Sequence, residues 1–336
     1  IDENEKFNMA FLETIHNTGL NYQGIIDYNS LVEIFKKKIF KIEKKINFIF
    51  KEAVLVLTDS ESSLINLCGF KKLNGSQLKK ENITYILNSL KSKVDETEKN
   101  KSIVHIFNTN FFLDKKKIHN LPIGLFGNFY SQELAFFLLD KNYYKNLKNV
   151  FSQCNLNIKK VISKSFVDGV SLIEKNSKLE TFFKIDINKN KSQIIFFENS
   201  ALKFTQNFDF GSDIIIKDLC KIVPLKKEII QSILKSINFS ENDLENELID
   251  NEFFQDQSPR KIKKKLLHDI ALARIQELAE IILFKNINVV SFCNRNIPIF
   301  LKIEDKINID CFQKIFIESF SQKHGGMIKL IDLPLE

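Results

Sequence analysis

Apolar residues along the chain recur in two periods, one helical and one strand-like. Leu31, Val32, Phe35, Ile39, Ile42, Ile46 and Phe50 return every three or four positions. This predicts a helix over 30–50, opened by Ser30 and Glu33 as a capping box. Ala53 to Leu57 and Leu64 to Leu67 read as strands, and Ile83, Ile86, Leu87 and Leu90 place a helix over 82–94. Strands are expected over 103–107 and 134–139, a helix over 142–155 and a strand near Val161. Next come three short strands, 182–186, 193–197 and 202–208, joined by polar turns and followed by helices over 212–222 and 225–237. Residues 240–257 are acidic and polar and read as irregular. Ser258-Pro259 then opens a long helix carrying Ile262, Leu266, Ile270, Ile275, Leu278 and Ile282. A buried strand over 286–292, a core helix over 311–320 and a terminal strand over 327–330 complete the pattern.

Three meandering strands feeding into helices are the opening of a ribonuclease-H-like half-domain. Two such halves make the two-lobed α/β superfold of actin and the sugar kinases. Between two of the earlier strands, Pro122-Ile123-Gly124-Leu125-Phe126-Gly127 concentrates a proline and two glycines in six positions, which marks a shaped turn.

Composition narrows the function class. The 336 residues carry 44% hydrophobic and 27% charged residues, which suits a globular protein. Of 49 Lys plus Arg, three are arginine (Arg260, Arg274 and Arg295), and the net charge is +7. Arginine clusters with stacking aromatics are absent, so the charge reads as a lysine-coated surface and not as a nucleic-acid footprint. Five dispersed cysteines without a C-x-x-C pair fit a reducing compartment, with no disulfide framework or zinc site expected. No apolar run approaches the roughly 18 residues of a membrane span.

Several motifs in this order resemble the bacterial cell-division FtsA family of actin-like proteins. The turn Pro122–Gly127 resembles its P-x-G-M-x-G, and Gly24-Ile25-Ile26-Asp27 its G-x-V-x-D entry to the first helix. Leu147–Ile158 is similar to its helix ending before a strand. Phe208-Asp209-Phe210-Gly211-Ser212-Asp213, with Asp218, resembles the turn after its second meander, and Ala273–Leu278 its P-R-x-E-E-I helix. The resemblance implies four parts. Residues 1–51 and 141–174 would form the first actin-like lobe, and 52–140 an inserted α+β subdomain. Residues 175–230 and 285–336 would form the second, ribonuclease-H-like lobe, and 231–284 a helical partner-binding subdomain.

The resemblance also implies ATP and Mg²⁺, through positions that match the family's nucleotide site. These are Asp186 (facing the metal), Ser192, Gly211, Glu228, Gln231 and Asn294. The sequence departs from the family there. Where the second phosphate turn has Asp-Ile-Gly-Gly-Gly-Thr, this chain has Asp186-Ile187-Asn188-Lys189-Asn190-Lys191-Ser192. Glycines let backbone N–H groups approach phosphate oxygens without a Cβ in the way. Gln231 stands where the family has a ribose-holding lysine, and Cys293-Asn294-Arg295-Asn296 contains none of the adenine-side glycines. The first phosphate turn is expected upstream of Ile1. A degenerate nucleotide site with weak or absent ATPase is therefore expected, and no catalytic residue is assigned.

The partners implied are those of the family. Arg260, Lys264 and Arg274 match the surface that takes the C-terminal tail of the tubulin-like FtsZ, where a guanidinium can grip a carboxylate with two parallel hydrogen bonds. Self-association into actin-like filaments, and contacts to later division proteins through the inserted subdomain, are implied as well. So is a cytoplasmic place on the inner membrane face at the division site, held only by a tail outside this sequence. Two other functions share the superfold: a pilus-assembly actin homologue, and a sugar-kinase-like enzyme needing intact phosphate turns.

Overall fold

The structure, a computed structural model, describes residues 9–15, 19–21, 24–58, 62–223, 225–236, 247–254, 261–293, 297–304, 306–321 and 328–330. The chain divides into two compact units, Ile1–Ser177 with Asn199–Lys203, and Lys178–Glu198 with Phe204–Glu336.

In the first unit, β1 (Leu20–Asn21) and β2 (Gly24–Ile25) pair antiparallel ahead of helix α1 (Tyr28–Ile46). The helix starts earlier than expected. Asp27, in extended backbone, accepts a hydrogen bond from Ser30 N at 3.0 Å and is the N-cap in place of Ser30. The helix ends where Asn47 turns left-handed at φ 55°. Leu31, Val32 and Phe35 pack with Val150 of the later helix.

Strand β3 (Glu52–Leu57) is followed by β4 (Ser62–Lys72), helix α2 (Lys80–Thr97), β5 (Lys101–Leu113), β6 (Lys116–Ile118) and β7 (Phe129–Asp140). The last four strands form one antiparallel sheet in the order β4-β7-β5-β6. β7 is central, and Leu134 to Leu139 are almost wholly buried. Helix α2 contributes Ile86 and Val94 to the two small cores over this sheet. The 122–127 segment is a shaped turn. Gly124 sits at φ +92°, and a Cβ on Gly127 would come 2.5 Å from Leu113 Cδ1. Its backbone runs against 75–78, with Leu78 N donating to Leu125 O and Gly124 N to Leu78 O.

Helix α3 (Lys141–Gln153), capped by Asp140, leads into β8 (Asn157–Ser163) and helix α4 (Lys164–Lys175). β8 pairs in parallel with β3. Strand 52–57, read from the sequence as part of the inserted stretch, thus forms a sheet with β8, separate from the antiparallel one. Helix α4 is a departure from the sequence reading, which placed no element there. Its Gly169 and polar surface mask the helical period, and the Ser163 hydroxyl caps it.

The second unit holds β9 (Phe182–Ile187), β10 (Ser192–Glu198) and, from Phe204 on, β11 (Ala201–Phe208), then helices α5 (Asp213–Ile222) and α6 (Lys227–Ser236). The long helix α7 (Lys264–Ala279) follows, continued by a wider π turn over Glu280–Phe284. Lys263 precedes α7 and bridges to Leu248; the expected start at Ser258-Pro259 lies outside the described residues. Short α8 (Val290–Cys293), β12 (Ile299–Ile303), α9 (Lys306–Ser321) and β13 (Ile328–Leu330) complete the chain.

The sheet order is β11-β10-β9-β12-β13, antiparallel from β10 to β9 and parallel from β9 through β12 to β13. This is the sheet of a ribonuclease-H-like half-domain. Strand residues alternate between faces. Phe183, Ile185, Ile187, Ile194, Phe196 and Leu301 join the α5, α7 and α9 residues in one large core, and Phe312, Phe316 and Phe320 of α9 are wholly buried in it.

Residues 286–292 are not a strand. Asn286 is buried, and its side-chain amide donates to Ile282 O at 3.0 Å, which closes the preceding turn and starts α8 instead. The buried parallel strand lies further on, at β12, immediately after Pro298.

Candidate functional site

The alternation that buries Phe183, Ile185 and Ile187 puts Phe182, Lys184 and Asp186 on the other face of β9. Asp186 pairs in register with Gln193 on β10 and with Lys302 on β12. Two residues before it, Lys184 is completely buried, and its ammonium forms an ion pair with Asp186 Oδ2. Asp186 Oδ1 is buried and has no hydrogen-bond partner among the described residues. At the strand ends, Lys302 Nζ lies 3.5 Å from Glu304 Oε1. The Asn188 amide, oriented to donate, reaches both Glu304 oxygens at 3.2 Å.

The turn after Asp186 is folded onto the start of α5. Asn188 N donates to Lys191 O, while Ser212 N donates to Asn188 O and Asp213 N to Lys189 O, each at 2.9 Å. The first N–H groups of a helix are its natural anion-binding donors. Here two of them are spent on carbonyls of the turn. Gly211 permits that approach: a Cβ there would lie 2.0 Å from Asn188 O and 2.8 Å from Lys189 O. Ser192, 2% exposed, donates its hydroxyl to Phe210 O at 2.8 Å.

Asp213 ties the next helix to the same end of the unit. It accepts from Lys227 Nζ at 2.6 Å and pairs with Lys217 at 3.2 Å. These contacts, led by Lys227, hold its carboxyl below the ordinary carboxylate range. Glu228 follows Lys227 and is exposed, and Gln231 is one turn further on the same face. Asp186, Ser192, Gly211 and the start of α6 are therefore gathered around one turn. Asn294 lies outside the described residues.

The turn 188–191 contains no glycine, two of its carbonyls accept from the start of α5, and one oxygen of Asp186, the expected metal ligand, is held by an ammonium. Sequence reasoning missed Lys184, although the signal was present. A lysine two residues from an aspartate in an apolar strand must share its face.

The expected tail-binding residues lie on α7. Arg274 Nε donates to Asp218 of α5, and its Nη1 to Glu277 one turn along. Lys264 Nζ pairs with Glu247 at 2.8 Å. Ten residues apart, the two are about 15 Å apart along the helix axis. Arg260 lies outside the described residues.

No helix among the described residues is long and apolar enough to cross a membrane. No group of three His, Cys, Asp or Glu side chains among them is placed to hold a metal ion.

Comparison with known proteins agrees with this architecture. No protein-family model matches the chain. It is 18% identical over 285 residues to the cell division protein FtsA of Neisseria meningitidis serogroup B, covering 84% of this chain and 68% of that protein. Among solved structures, the PilM-PilN type IV pilus biogenesis complex aligns with a TM-score of 0.54 at 7% identity, over 95% of this chain and 80% of that one. MreB5 of Spiroplasma citri bound to ADP aligns with a TM-score of 0.43 at 13% identity, over 94% and 74%. The fold is that of the actin-like proteins; the chain is distantly similar to FtsA in sequence and to the PilM-PilN complex in fold.

Proposed function

We propose that this chain is an actin-like adaptor of the FtsA type that captures a partner's peptide without using a nucleotide cycle. The observation that carries the reading is the closed second phosphate turn, with Gly211 packed on Asn188 and Lys189 and Asp186 held by the buried Lys184. A site that spends its donors on itself supports a binding protein over a kinase. The ATP and Mg²⁺ site is degenerate in this reading, and Asp186, Glu228 and Gln231 are what remains of it.

The partner proposed is the C-terminal tail of FtsZ, docked along α7 with Arg260, Lys264 and Arg274, so that FtsZ filaments are linked to the cytoplasmic membrane face. Self-association into filaments, and contacts of later division proteins with the inserted subdomain, belong to the same proposal. That subdomain is proposed to centre on the antiparallel sheet from β4 to β7. Because Asp218 and Glu277 already engage Arg274, a peptide carboxylate must compete with them for the guanidinium.

Fluorescence anisotropy of a labelled FtsZ tail peptide with the full chain tests this. Capture is expected without ATP. Arg260→Gln and Arg274→Gln should each weaken it about tenfold, the scale of one charge-assisted contact, and Asp218→Asn should tighten it. Undiminished binding by both arginine variants contradicts the assignment. The structural similarity to the PilM-PilN complex favours a second reading, a pilus-assembly homologue. Capture of a PilN peptide in place of the FtsZ tail would select it.

A further inference from the structure

Helix α1 carries a surface that neither the phosphate turn nor α7 explains. Its apolar stripe of Leu31, Val32 and Phe35 faces the unit's interior. On the opposite side Phe40 is 67% exposed. Lys36, Lys37 and Lys44 stand three and four residues from it, which on a helix makes them its surface neighbours. A phenylalanine exposed on the solvent face of a helix, with lysine at three of its four neighbouring positions and Glu43 at the fourth, is not a core position.

More exposed apolar side chains follow the helix. Phe48 and Ile49, just beyond its end, are 59% and 75% exposed. The segment 9–15 runs back along the helix, since Glu13 pairs with Lys38 and Lys41 while the Phe11 ring lies 3.9 Å under Lys45 Nζ. That segment exposes Met9 and Leu12 as well. Large side chains more than half exposed in one region mark an interaction site. Residues 36–51 hold seven lysines and one acid, Glu43, and of those lysines Lys38 and Lys41 are paired with Glu13. Glu43 is turned to the backbone of Phe50, accepting its N–H at 2.9 Å.

We propose that this face of α1, with Phe48 and Ile49, is a membrane-surface site that docks on anionic lipid headgroups. Apolar side chains that can enter the headgroup boundary, beside lysine ammoniums, match a negatively charged bilayer surface in both chemistry and charge. A folded protein partner would require an acidic surface with apolar pockets; a bilayer needs no such pockets. The proposal does not depend on the FtsZ reading.

Sedimentation of the full chain with vesicles tests it. Binding is expected to phosphatidylcholine vesicles containing phosphatidylglycerol and not to phosphatidylcholine alone, and it should fall as salt is raised. Lys37→Glu with Lys44→Glu should reduce partitioning by at least about thirtyfold, and Phe40→Ser should reduce it at unchanged charge. Lys115→Glu with Lys116→Glu changes the net charge equally on the exposed β5–β6 turn and should leave binding intact. The chain has no tryptophan, so Phe40→Trp reports the site directly, with emission shifting to the blue on anionic vesicles. Equal losses from both lysine pairs would overturn the proposal in favour of a diffuse charged coat. Absence of vesicle binding, or concentration-dependent self-association abolished by Phe40→Ser in its place, would also overturn it.

Discussion

Replacing Lys184 by methionine is expected to destabilise the second unit by roughly 3–5 kcal/mol, the cost of leaving a buried charge without its partner. Methionine fills the same volume, so the loss is electrostatic. Asp186 would keep one orphaned oxygen, Oδ1, and lose the ammonium on the other. Adding Asp186→Asn should recover most of the loss, because a neutral pair of similar shape has no uncompensated charge to bury. Hydrogen exchange of β9 and β10 in the full chain reads the effect on this sheet directly. If Lys184→Met alone leaves protection unchanged, the ion pair is not what neutralises Asp186, and the account of the closed turn loses its main support.

Gly211→Ala is the second large effect. Its φ is not the constraint here; space is. A Cβ 2.0 Å from Asn188 O must push the turn away from α5, lengthening the bonds from Ser212 N and Asp213 N. Overpacking against backbone, which cannot rotate aside, should cost about 3 kcal/mol. Exchange at the Ser212 and Asp213 amides should accelerate far more than at the core of α9. A change within about 0.5 kcal/mol, ordinary for a surface substitution, would mean that the turn moves freely and the site can open.

Much of this architecture was legible because strand and helix periods are direct consequences of burial. The meander 182–208 and the helices after it were read within one or two residues, since Phe182–Ile187 and Ser192–Glu198 are short apolar runs bounded by polar turns. The shaped turn at 122–127 was legible from its glycines. What failed was governed by side-chain hydrogen bonding that leaves no period. Asn286 closes a turn where apolar neighbours suggested a strand, and Asp27 caps α1 three residues before the serine that matched a capping box. β12 went unread because Pro298 precedes it and the surrounding sequence is rich in asparagine.

At the site, the absence of glycine was plain from Asn188-Lys189-Asn190-Lys191, but its structural consequence was not. That the turn's carbonyls cap α5, and that a buried ammonium sits on Asp186, depends on which residues the fold brings opposite one another. Among the lysines the same lesson applies. Most of the described ones are exposed, as the composition suggested. Lys184 is instead wholly buried, and the cluster on α1 flanks an exposed phenylalanine.

The central claim is that this actin-like fold works without nucleotide, and calorimetric titration of Mg²⁺-ATP into the full chain tests it most directly. The account predicts no saturable binding up to about 1 mM ATP; a site tighter than about 10 μM, lost in Asp186→Asn, would contradict it.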